Sequence, residues 1–88
     1  MGNVSVEEYA RRGKLKFLNG KYDKALLNYD KALNLTNSNA DIYVFRGMTY
    51  ARINNHKRAL SDYAKAIKIC KDNLVLPALS WVANGEVI

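Results

Sequence analysis

Ala25-Leu26-Leu27-Asn28-Tyr29-Asp30-Lys31-Ala32-Leu33 returns 34 residues later as Ala59-Leu60-Ser61-Asp62-Tyr63-Ala64-Lys65-Ala66-Ile67. Ala, Leu, Tyr, Lys and Ala recur at fixed places, and each copy sets its apolar residues at i, i+1, i+4, i+7 and i+8. That spacing is one face of an amphipathic helix. The same offset carries Tyr9 to Tyr43 and Arg12-Gly13 to Arg46-Gly47. A fixed period of this length marks a repeat architecture, in which each unit buries its apolar face on its neighbour.

Small residues recur where two helices must approach closely. Gly13, Ala25 and Ala32 are matched by Gly47, Ala59 and Ala66, while Tyr29 and Tyr63 supply bulk to fill the space left. Ser5-Val6-Glu7-Glu8 reads as a capping box: Ser5 caps the first helix, and Glu8 reaches back to the Ser5 amide. Asn19-Gly20 ends that helix, because glycine enters the left-handed region cheaply. A second helix is expected over about Tyr22–Leu35, a turn at 36–39, and a third helix over about Ala40–Ile53. Asn54-Asn55 turns the chain into a fourth helix ending near Lys71.

The spacing of Tyr9, Gly13, Gly20, Ala25, Tyr29 and Ala32, repeated in Tyr43, Gly47, Tyr50, Ala59, Tyr63 and Ala66, resembles the tetratricopeptide repeat. The resemblance covers about Val6 to Asn73. It departs from the family pattern at Tyr9 and Tyr43, where Trp is preferred, and at Arg12 and Arg46, where Leu is preferred. Lys16 replaces a Tyr, and Asn37 and Lys71 fall where Pro often closes the repeat. The implied fold is all-α, a helix-turn-helix stack (an α-solenoid) of about five helices. Its expected divisions are a lead at 1–5, one repeat at 6–39, a second at 40–73, and an apolar capping or interface segment at 74–88.

That last segment changes character. Leu74-Val75-Leu76-Pro77-Ala78-Leu79-Ser80-Trp81-Val82-Ala83 holds no charge. It predicts a short fifth helix with Pro77 in its first turn, ended by Asn84-Gly85. Its position is that of a third repeat's first helix. A terminal cap ordinarily shows a polar outer face, so Leu74, Leu76, Leu79, Trp81 and Val82 are candidates for self-association as well as capping, with a homodimer as one outcome.

The chain has 88 residues, with 14 Lys and Arg against 8 Asp and Glu, a net charge of +6. One cysteine, Cys70, leaves no intramolecular disulfide and points to a reducing compartment, the cytoplasm. No apolar run reaches the ~20 residues a membrane span needs, and residues 1–25 show no signal-peptide core. His56 is the single histidine. No Cys/His cluster has metal spacing, no glycine-rich phosphate loop occurs, and no nucleophile–base grouping can be built. The sequence therefore assigns no catalytic residue, no cofactor and no metal, and the chain reads as a non-enzyme.

In tetratricopeptide stacks the first helix of each pair lines a concave groove. Carried onto this chain, the resemblance implies a partner-binding face of Arg11, Lys14, Phe17 and Leu18 from the first unit and Val44, Phe45, Met48 and Arg52 from the second. Its apolar centre suits a partner helix or an extended apolar peptide. Some family members clamp an acidic chaperone C-terminus with Lys, Asn and Arg. The matching places here are Ala10, Lys14, Phe45, Val75 and Leu79, so no such clamp is expected. A second class, a basic adaptor for nucleic acid or an acidic protein, would use the cations at Arg11, Arg12, Lys14 and Lys16. Interspersed acids and the lack of a stacking surface argue against nucleic acid.

Overall fold

A computed structural model describes residues 4–73. They form four helices: α1 (Val6–Leu18), α2 (Tyr22–Leu35), α3 (Ala40–Arg52) and α4 (His56–Asn73). α1 pairs with α2 and α3 with α4, and the two hairpins join through α2 on α3, with a lighter contact between α1 and α3. This is the all-α repeat stack the 34-residue period implies, with α1 and α3 starting at positions one period apart. The fifth helix expected near 74–83 lies outside the described residues, as do Leu74, Leu76, Leu79, Trp81 and Val82.

The turns repeat as faithfully as the helices. Gly20 has φ 77° and Asn54, its counterpart, has φ 65°. Asparagine is among the few non-glycine residues that enter this region at low cost. After each left-handed residue, the next amide reaches back over the helix end: Lys21 N–H donates to Lys16 O and Asn55 N–H to Tyr50 O, both at 2.8 Å. These bonds satisfy carbonyls the helix leaves open. α3 ends one residue earlier than expected because Ile53 already serves as its cap, donating to Thr49 O and Tyr50 O. α4 continues two residues past Lys71.

One local expectation needs correcting. Ser5 does cap α1, its hydroxyl accepting from Glu8 N–H at 3.1 Å. The Glu8 carboxylate, however, turns along the helix surface and takes Arg11 and Arg12. Two guanidiniums one turn away outbid a single backbone amide for the charge.

The core sits between the hairpins. Ala25, Tyr29 and Ala32 of α2 are fully buried with Ile42 of α3, and Phe17 is 8% exposed. Val6, Tyr9, Ala10, Leu33, Phe45 and Met48 close around them. The glycines explain the tight hairpins. A Cβ on Gly13 would overlap the edge of the Tyr29 ring, and one on Gly47 would come within 2.7 Å of the Tyr63 ring. Each tyrosine thus occupies the space its glycine vacates.

Candidate peptide-binding groove

Successive first helices meet along one side of the stack. Glu7, Ala10, Arg11 and Lys14 of α1 face Asp41, Ile42 and Phe45 of α3, with Asn39 at one end, around a cleft of about 240 Å³. Tyr29 of α2 closes its base. The Phe45 ring stacks on Tyr29 with centroids 6.5 Å apart and planes at 25°. Lys14 Nζ stands 4.5 Å above the Phe45 ring centroid, within cation–π range. The groove therefore has an aromatic floor, cations on the α1 wall and an acid, Asp41, opposite them.

The Tyr29 hydroxyl is buried and finds no hydrogen-bond partner among the described residues. Burial pushes its pKa up to about 12, so it stays a neutral donor under ordinary conditions. Leaving such a group unpaired costs about 1–3 kcal/mol. Good native cores avoid this cost, so an orphan beneath a groove is notable.

The residues expected on this face divide into three groups. Arg11, Lys14 and Phe45 line the cleft. Phe17 belongs to the core instead, its ring 5.7 Å from that of Tyr22, with only the Arg52 guanidinium resting over it at 5.2 Å. Its place near the C-terminal end of α1 turns it toward the base of α2 rather than into the groove. Met48 packs against the same core, and Val44 is half-buried away from the cleft. Leu18, the last residue of α1, is 76% exposed and lies beyond the cleft's end.

The basic run at Arg11–Lys16 is also quieter than its sequence suggests. Arg11 donates to Glu8 twice, at 3.1 and 2.6 Å, and Arg12 donates at 2.9 Å. The Arg11 hydrogen bond, seconded by Arg12, holds the Glu8 carboxyl down at about 2. One acid thus engages two of the four cations.

A second feature escaped the sequence reading. Arg46 donates twice to Asp62, at 2.9 and 2.8 Å, and once to Asp30 at 2.9 Å. The Asp62 side chain is 3% exposed and that of Arg46 18%. The hydrogen bonds to Asp62 raise the Arg46 pKa above its ordinary value. The clue was present: Asp62 sits three residues after Ala59 and four before Ala66, on the stripe that is otherwise core. Arg46 likewise stands between Tyr43 and Tyr50. Among the described residues, no cluster of His, Cys, Asp or Glu could hold a metal ion, and no helix is long and apolar enough to cross a membrane.

A paired-helix stack with an open groove on its first helices defines a helical-repeat interaction fold. The TPR repeat family matches residues 13–54 and a second tetratricopeptide repeat family matches residues 40–73. The chain belongs to the tetratricopeptide repeat family. It is 36% identical over 62 residues to the Protein SGT1 homolog of Dictyostelium discoideum, covering 70% of this chain and 16% of that protein. It is 34% identical over 63 residues to the Small glutamine-rich tetratricopeptide repeat-containing protein of the same organism, covering 72% and 19%. It is 33% identical over 57 residues to Hsp70-Hsp90 organizing protein 3 of Arabidopsis thaliana, covering 65% and 10%. The matched regions thus span less than a fifth of each of these relatives.

Proposed function

We propose that this chain is a non-catalytic protein-interaction adaptor that holds a partner peptide or helix in the groove between α1 and α3, in the cytoplasm. The observation that carries this reading is the convergence of Ala10, Arg11, Lys14 and Phe45 on a cleft also lined by Tyr29, whose buried hydroxyl has no partner among the described residues. A peptide carbonyl reaching that hydroxyl would relieve its desolvation cost, while an apolar side chain covers Phe45. The hydroxyl is almost closed to solvent, so side chains around it must shift as the ligand enters.

Two relatives carry Hsp70 and Hsp90 in their names. The groove here has Phe45 and Ala10 where an acidic chaperone C-terminus would be clamped, and Lys14 is the one cation among those places. We therefore infer a ligand chosen for apolar contact, with terminal carboxylates bound poorly. The test is selection of amphipathic-helical and extended apolar peptides on the native domain, followed by fluorescence anisotropy. Lys14→Glu and Phe45→Ala should each weaken the selected peptides about tenfold, as loss of a contact worth 1–2 kcal/mol does. Unchanged affinity in both folded variants would defeat the groove reading.

A second reading rests on the exposed apolar residues of α4. Leu60 and Ile67 are 67% and 60% exposed, whereas their counterparts Leu26 and Leu33 are half-buried. We infer that residues 74–83 cover Leu60 and Ile67, either in their own chain or exchanged with a second copy. Light scattering across a concentration series separates the two. A mass that doubles with concentration, and returns to monomer when Leu79 and Trp81 become Ala, supports exchange. A monomer at all concentrations excludes it.

A further inference from the structure

Sharing no lining residue with the groove, α2, α3 and α4 form a wider cleft of about 640 Å³, lined by Asp30, Arg46, Arg58, Ser61, Asp62 and Lys65 among others. Its cations stand beside two tyrosine rings, Tyr50 of the lining and the buried Tyr43. Lys65 Nζ is 5.6 Å from the Tyr43 centroid, and Arg46 lies 5.7 Å from Tyr43 and 5.8 Å from Tyr50. Arg58 follows, 5.8 Å from Tyr50. The central cation is neutralised by Asp62 and Asp30. The outer two pair with no carboxylate among the described residues. The cleft thus has a fixed centre and two unneutralised cations at its ends. The first hairpin keeps only one rung of this ladder, Lys31 over Tyr9 at 5.9 Å, because Lys16 and Asn28 stand where Tyr50 and Asp62 stand in the second.

We propose that this cleft is a second docking surface, taking an acidic peptide segment by its side-chain carboxylates. Arg58 and Lys65 are seven residues apart on α4, about 10 Å along the helix axis. Glutamates three apart in an extended polyproline-II-like segment repeat at about 9 Å, so a Glu-x-x-Glu spacing places one carboxylate at each cation. Ser61 and Asn34 line the path between them and offer hydrogen bonds to the peptide backbone. The buried Arg46–Asp62 pair holds α3 against α4 and keeps the two cations in register. Their exposure makes the attraction one of steering and selection, and hence sensitive to salt.

This surface does not depend on the groove. The experiment is anisotropy of a labelled hexaglutamate peptide on the full chain at low and physiological salt. Arg58→Glu with Lys65→Glu should lower affinity by about tenfold or more. Lys21→Glu with Lys24→Glu makes the same change in net charge on exposed positions outside the cleft, and should lower it less than about threefold. Thermal unfolding by circular dichroism verifies that both variants fold. Equal losses in the two variants would reduce the effect to net charge and overturn the proposal. So would failure of hexaglutamate to bind the native chain, or binding of single-stranded RNA in its place.

Discussion

The two hairpins share a register and differ in what holds them. In the first, Arg12 reaches along the surface of its own helix to Glu8. In the second, its counterpart Arg46 crosses to α4 and α2 and pairs with a buried aspartate. Tyr29 is fully buried under α3, while Tyr63, one period later, is only half-buried. The same motif thus yields a solvated rim in one copy and an ionic lock in the other. Position in the stack, together with a single change from Asn28 to Asp62, decides which.

The contrast breaks most sharply at the arginines. Arg46→Ala strands Asp62 as an unpaired buried charge and should cost about 3 kcal/mol in chemical denaturation. Arg12→Ala should leave the midpoint almost unmoved, since exposed pairs contribute little. Placing at 46 the Leu the family prefers, together with Asp62→Leu, should recover most of the loss, as apolar replacement of a buried pair often does. An Arg46→Ala variant as mild as Arg12→Ala would mean the lock does not hold the hairpin.

The glycines give the next largest difference. Gly13→Ala drives a methyl into a fully enclosed Tyr29 ring and should cost about 2 kcal/mol, while Gly47→Ala meets a half-exposed Tyr63 that can yield, with the Ala59 carbonyl at 3.2 Å, and should cost about 1–2 kcal/mol. Thermal melts of the two variants compare them directly, and a reversed order would show that burial of the tyrosine is not what sets the penalty.

Tyr29→Phe sharpens the comparison further, because it removes an unpaired hydroxyl. It should stabilise the domain by about 1 kcal/mol and weaken a groove-bound peptide. The hydroxyl's pKa is raised to about 12, so the folded state keeps a proton that an unfolded tyrosine loses near pH 10. Its contribution is full below pH 10 and falls away as pH rises toward 12. Denaturation midpoints across that window should drop in the native chain and drop less in Tyr29→Phe.

The smallest effect is at the acid end. Glu8, held at about 2 by its hydrogen bond from Arg11 and then Arg12, adds stability above the ordinary carboxylate pKa near 4.5. That stability fades as pH falls toward 2. Glu8→Gln should flatten this limb slightly, and a limb of unchanged slope would assign the acid sensitivity to other carboxylates.

Much of this was legible in the chain. The period, the four described helices, both turns and the glycine–tyrosine pairings follow from small and aromatic residues at fixed spacing, because close packing leaves few alternatives. The groove was legible in part: Arg11, Lys14 and Phe45 line it, while Phe17 turned inward because helix periodicity cannot tell a groove from a core when both are apolar. The Arg46–Asp62 pair was hidden for a different reason. Charged residues on a helix are expected to face water, and only the three-dimensional crossing of α3 over α4 shows that these two meet. The orphan Tyr29 hydroxyl likewise depends on what surrounds it in space.

The central claim is that a partner lies in the groove of α1 and α3, above Tyr29. Residue-resolved chemical-shift mapping of the isotope-labelled chain with a selected peptide tests it most directly. The account predicts the largest changes at the amides of Ala10, Lys14, Asp41 and Phe45 and at the Tyr29 ring. Changes gathered instead around Leu60 and Ile67, or around Arg58 and Lys65, with the groove silent, would contradict it.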